Sequence, residues 1–188
     1  MSTTIYLDVD GVINAIDRRH PELKHTGFSE YKSVRCNGYQ IAYAPELITA
    51  LNALAERGDV TIKWLTTWEH DAAKVLSPLI GLEGQEWEVL TGDLHAWHGR
   101  DWWKLSAIRS DVEATKPGHA IWIDDDLSLE RTAMNWANNH GVTMISPFAK
   151  YGLTTRSPMI RTMHDAASMT RPKRSSHQTS SSSSSAST

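Results

Sequence analysis

The 188-residue chain is 40% hydrophobic and 22% charged, the ordinary range for a globular domain long enough to bury a sizeable core. Its net charge of −3 supplies no global pull toward nucleic acid, so a strong non-specific polyanion binder is excluded, though a local basic groove is not. A single cysteine, Cys36, rules out an intramolecular disulfide. With no apolar run near the roughly 18 residues of a membrane span and no signal-peptide pattern, a cytoplasmic protein without a membrane segment is expected.

The first predicted element is a buried strand, Ile5-Tyr6-Leu7, which runs into Asp8-Val9-Asp10-Gly11. Strand side chains alternate, so Asp8 and Asp10 are expected on one face at the strand mouth, where open α/β sheets bind ligands. Two crowded carboxylates there call for a cation between them; an acidic turn is the plainer alternative. Gly11 ends the strand and lets the chain turn sharply.

Residues 13–43 form an insertion. Within it Asn37-Gly38 separates two β-like runs, 31–35 and 39–43, which predicts a hairpin with Tyr39, Ile41 and Tyr43 on one face. Pro45 opens a helix whose stripe is Leu47, Ile48, Leu51, Leu54 and Ala55, closed by Gly58. A strand from Val60 ends in Thr66-Thr67, followed by a helix over 69–76 and a weaker strand over 87–90. A loop with His95 and His98 precedes a helix over 101–114 that carries Lys104 near its start; two histidines without further ligands read as surface residues. The strand Ala120-Ile121-Trp122-Ile123 ends in Asp124-Asp125-Asp126, and Ser128 is the expected cap of the helix after it. A fifth strand over 142–145 and a last helix over 158–167 complete a domain of residues 1–170. The Ser-rich tail, 171–188, has nothing to bury and is expected to be disordered. Strands alternating with helices predict a Rossmann-like, three-layer α/β/α fold around a mostly parallel five-stranded sheet. A small hairpin flap within 28–44 takes the place of a large cap domain.

Strand-acid-x-acid, strand-Thr, Lys on a helix and strand-acid-acid, in that order, resemble the haloacid dehalogenase-like (HAD) superfamily of phosphatases and phosphoryl-transfer enzymes. Within it, Trp64-Leu-Thr-Thr-Trp68, the Trp-rich segment before Lys104 and Trp122-Ile-Asp-Asp look most like the HAD domains of "Swiss army knife" RNA-repair proteins and their stand-alone phage and bacterial relatives. The resemblance implies Asp8 as nucleophile and Asp10 as proton shuttle, with Thr66 and Lys104 on the phosphate oxygens. Thr67 is an alternative to Thr66, and Gly11 lies beside the phosphate. Asp8, the main chain of Asp10, Asp124 and Asp125 would hold Mg2+, a hard cation suited to carboxylate oxygens. Which two of the residues 124–126 serve it stays open, the first two being favoured as nearest the strand end. The implied activity is a Mg2+-dependent phosphatase acting on a phosphorylated substrate, DNA or RNA ends included, with no obligate protein partner. A small-molecule phosphatase for nucleotides or sugar phosphates is the alternative, and a non-catalytic HAD-fold binding module the third. Trp68, Trp97, Trp102 and Trp103 fall near this site, as core or as surfaces for stacking bases. Cys36 has no base partner and reads as inert.

Overall fold

The computed structural model describes residues 2–16, 21–93 and 102–157. The elements in chain order are β1 (Thr3–Leu7), α1 (Leu23–Thr26), β2 (Lys32–Cys36), β3 (Tyr39–Tyr43), α2 (Pro45–Ala55) and β4 (Val60–Trp64). A π-helical turn (Ala72–Leu76) then leads into α3 (Ser77–Ile80), followed by α4 (Trp103–Thr115) and β5 (His119–Ile123). A 3₁₀ turn (Asp125–Leu129), α5 (Arg131–Asn139) and β6 (Thr143–Ile145) follow.

Four parallel strands make the main sheet in the order β4-β1-β5-β6. The predicted α/β architecture holds, with one strand fewer among the described residues. The segment expected as a strand over 87–90 touches the sheet edge through a single bridge, Trp64 to Val89. Two hydrogen bonds, Trp64 N to Glu88 O at 2.8 Å and Leu90 N to Trp64 O at 2.9 Å, make that bridge. Pairing begins only where β4 is already ending, so no longer ladder forms.

Period-two alternation divides the core between the two faces of the sheet. Ile5, Leu7, Ile62, Trp64 and Ile123 face α2, where Leu47, Ile48 and Leu51 receive them. Tyr6 and Trp122 face α4 and α5, packing with Leu105, Ile108, Ala133, Trp136 and Ala137. Trp64 and Trp122 are both fully buried, and each such side chain contributes about 2–3 kcal/mol by area.

The second face also carries charge. Lys63 extends from β4 to Asp111 of α4, Nζ to Oδ1 at 2.7 Å, with side chains only 7% and 9% exposed. Tyr6 donates its hydroxyl to the other Asp111 oxygen at 2.8 Å. Burial and the Asp111 carboxylate push the Tyr6 hydroxyl well above its ordinary range, so it stays a donor. This network pins α4 in rotation and along its axis against the sheet.

The hairpin forms as read, one residue shifted in its first arm: β2 and β3 pair antiparallel, Cys36 opposite Tyr39. Asn37 (φ 50°) and Gly38 (φ 86°) both occupy the left-handed region that such a tight turn demands. Ile41 and Tyr43 are buried while Tyr39, at the tip, is 69% exposed. Cys36 is buried, and burial raises its thiol pKa. Pro45 starts α2 at its first turn as expected, whereas α1 carries no sequence signal strong enough to have been read. Ser128 does not cap α5. It lies inside the 3₁₀ turn, whose cap is Asp124, accepting from the Asp126 N–H at 3.0 Å. The helix over 69–76 becomes the π-helical turn and α3. Ser77 N and Oγ both donate to the Ala72 carbonyl, the hydroxyl at 2.7 Å, and Pro78 then supplies no N–H of its own. The helix expected over 158–167, the tail 171–188, and His95, Trp97 and His98 lie outside the described residues. Among the described residues no helix is long and apolar enough to cross a membrane.

Asp111→Ala strips two buried partners at once. It is expected to lower stability by about 3 kcal/mol, read as a lower urea midpoint.

Candidate active site

Strand order builds the site. β1 is central, with β4 on one side and β5 on the other, so the residues just past their three carboxyl ends meet: Asp8, Leu65-Thr66 and Asp124. Backbone bonds continue the ladder across these ends, from Leu65 N to Leu7 O at 2.9 Å and from Asp8 N to Ile123 O at 3.1 Å. This is the crevice in which α/β sheets hold ligands, where successive crossovers leave the first strand in opposite directions.

Lys104, in the first turn of α4, reaches into that crevice. Its Nζ donates to Asp8 Oδ2 at 2.8 Å and to Asp124 Oδ2 at 2.7 Å. All three side chains are almost completely buried. Trp102, stacked on Trp122 with centroids 5.3 Å apart, sets its ring 5.8 Å from the ammonium. Burial works to lower the Lys104 pKa, but the Asp8 and Asp124 carboxylates outweigh it and hold the group protonated. Burial pushes Asp124 upward, against the pull of Lys104. The second oxygen of Asp8 accepts the Val9 N–H at 2.7 Å.

Asp125 completes an acidic cluster: ligand oxygens of Asp8, Asp124 and Asp125 lie within 4.8 Å of one another. Burial, Asp126 and Asp8 raise the Asp125 pKa to about 6. Three carboxylates face one ammonium, leaving excess negative charge in a buried place. Such a set of hard oxygen donors fits a divalent cation of the Mg2+ type. Gly11, at φ +67°, passes directly over this cluster; a Cβ there would sit 2.2 Å from Asp125 Cγ. Its hydrogen atom makes room for the acid. Asp126 takes no part in the cluster, and its N–H serves the Asp124 cap instead.

Asp10 is not placed by strand alternation. β1 stops at Leu7, and the Val9 carbonyl then accepts from Val12, Ile13 and Asn14, coiling the chain into a turn. Asp10 projects from this turn, between two donors that the sequence reading did not identify. Asn14 Nδ2 donates to Oδ1 at 2.7 Å and Trp68 Nε1 to Oδ2 at 2.8 Å. Asn14 in turn accepts the Ala42 N–H of β3 at 2.9 Å, which ties the hairpin to the same point. The four-residue spacing of Asp10 and Asn14 is a usable local signal. Nothing in the sequence links Trp68 to residue 10.

Of the two threonines, Thr66 is fully buried at the strand end and Thr67 is exposed. The Trp68 N–H donates to Thr66 Oγ1 at 3.3 Å, which fixes the side chain at the strand end.

A central parallel strand ending in Asp-x-Asp, flanked by a strand ending in Thr and one ending in Asp-Asp, with a helical lysine between the acids, defines a domain of the HAD hydrolase superfamily. Residues 4–157 match the family described as the HAD domain in Swiss Army Knife RNA repair proteins, and the chain belongs to that family. HAD domains generally use Mg2+, in keeping with the acidic cluster. No curated protein and no solved structure matches the chain significantly.

Lys104→Met leaves Asp8 and Asp124 buried against each other. A loss of about 3–5 kcal/mol is expected in metal-free buffer, with a partial return of Tm on adding millimolar Mg2+. A Tm indifferent to Mg2+ in both proteins would argue against a cation in this cluster.

Proposed function

We propose that the protein is a Mg2+-dependent phosphatase that works through an aspartyl-phosphate, with phosphorylated nucleic-acid ends as its substrate. The observation that carries this reading is the Lys104 ammonium held between Asp8 and Asp124 beside Asp125 at the sheet's carboxyl edge. In that arrangement a phosphate meets a carboxylate nucleophile and fixed positive charge together.

An Asp8 oxygen attacks phosphorus and forms the acyl-phosphate bond as the P–O bond to the leaving group breaks. Asp10 protonates the departing oxygen. In the second half a water attacks phosphorus, Asp10 takes its proton, and inorganic phosphate leaves as the Asp8 carboxylate is restored. Thr66 donates its hydroxyl to a non-bridging oxygen, and Lys104 balances charge from the protein side. Asp8, Asp124 and Asp125 would hold Mg2+, which supplies charge neutralisation to the phosphoryl group when bound. Asn14 and Trp68 keep Asp10 aimed, since each of its oxygens has its own donor.

Two features favour a bulky substrate. Among the described residues, what lies between β1 and α2 is a short helix and one hairpin, with no cap fold over the site. The family's own description names RNA repair proteins. On this reading the protein acts in the cytoplasm and without an obligate protein partner.

Phosphate release from end-phosphorylated oligonucleotides should require Mg2+ and disappear, by at least about 10³-fold, in Asp8→Asn. Faster turnover of mononucleotides or sugar phosphates than of oligonucleotides would replace the polynucleotide assignment with a metabolite phosphatase. Trp68→Phe keeps the ring but deletes the donor to Asp10. It should depress kcat on alkyl phosphates, whose leaving oxygen needs a proton, by about 10-fold or more, and spare aryl phosphates, whose leaving group departs unaided.

A further inference from the structure

Next to Asp10 a groove of about 420 Å³ opens, lined by Asp10, Asn37, Tyr39, Thr67, Trp68 and Asp71. Its size is that of a small-molecule cleft. The hairpin tip forms one wall and the turn after β4 the other. These walls are fastened together: the edge-to-face contact of Tyr39 and Trp68 has centroids 5.8 Å apart, and Asn37 Nδ2 donates to Asp71 Oδ2 at 2.8 Å. Tyr39 nonetheless keeps 69% of its surface open. A single exposed aromatic is common; one braced by a second ring that itself holds the proposed acid–base carboxylate is a fixed platform.

We propose that this groove receives the base of the substrate's terminal nucleotide, stacked on Tyr39, while the phosphate lies at Asp8. The inference rests on the phosphatase reading of the site and specifies its substrate. Charge decides which part of a nucleotide fits. Among the described residues the lining holds two carboxylates and no basic side chain, so it disfavours a second phosphate and accepts a neutral heteroaromatic ring. The exposed Asn37–Asp71 pair offers an amide and a carboxylate to the polar edge of such a ring. Asp10, shared by groove and site, places the ring on the leaving-group side of the phosphate. The polynucleotide backbone beyond that first nucleotide is then directed away from the groove.

The test is binding of a dye-labelled, end-phosphorylated oligonucleotide to the Asp8→Asn protein in Mg2+, followed by fluorescence anisotropy. The terminal nucleotide is either intact or an abasic analogue. Removing the base should weaken binding roughly 5- to 150-fold, the range for one stacked base. The same comparison in Asp8→Asn/Tyr39→Ala should show no difference, and Asp8→Asn/Tyr39→Phe should restore it. Equal affinity for intact and abasic ends, an equal loss for both on removing Tyr39, or no binding of either would overturn the proposal. Failure of the phosphatase reading has a separate signature: no Asp8-dependent phosphate release from these oligonucleotides by the wild-type protein, whatever the anisotropy comparison gives.

Discussion

One buried ammonium shared by two buried carboxylates is the constraint around which this domain is organised. Taking three charges out of water costs several kcal/mol per ion, and their attraction returns that only with close geometry. The contacts of 2.7 and 2.8 Å meet the condition. They can do so only if β1 and β5 are neighbours in register and α4 is held at one rotation. Asp111 lies seven residues after Lys104, two turns along the same helix face, and grips Tyr6 and Lys63. α4 is therefore tied to the sheet at two points, one in the site and one behind it. A well-packed apolar trio would serve stability at least as well, so the charges are better understood as serving chemistry.

Asp10 obeys a different constraint. It sits where the turn after β1, the hairpin and the turn after β4 converge, and it has a donor from two of them. Asn14 connects it to Ala42 of β3, and Trp68 connects it to Tyr39 at the hairpin tip. The hairpin is thus part of the mounting for the carboxyl and also a wall of the groove. A ligand that shifts Tyr39 acts on Asp10 through one intervening ring.

The strands were legible because parallel strands buried on both faces read as short apolar runs ending in polar residues, as Ile5 to Leu7 and Ala120 to Ile123 do. Four short motifs in the right order sufficed to bring Asp8, Thr66, Lys104 and Asp124 into one neighbourhood. What escaped was whatever depended on a local break or a distant meeting. The 87–90 segment has strand composition but meets only the last residue of β4. Ser77 and Pro78 turn a predicted simple helix into a π-helical turn and a short α-helix. Asp10 leaves the strand before alternation can place it, because the Val9 carbonyl starts a turn. The bond from Trp68 to Asp10 spans 58 residues, and no pattern in the chain announces it.

The sheet order also bears on synthesis. β1 comes first in the chain but is central in the sheet, with Thr3 paired to Val60 on one side and to His119 on the other. Asp8 therefore emerges from the ribosome long before Lys104 and longer still before Asp124. Contacts of such sequence separation form late in folding, after a large loop entropy has been overcome. No chain cut short before residue 124 can hold Asp8, Lys104 and Asp124 together, so the buried ion cluster closes only once β5 has been made.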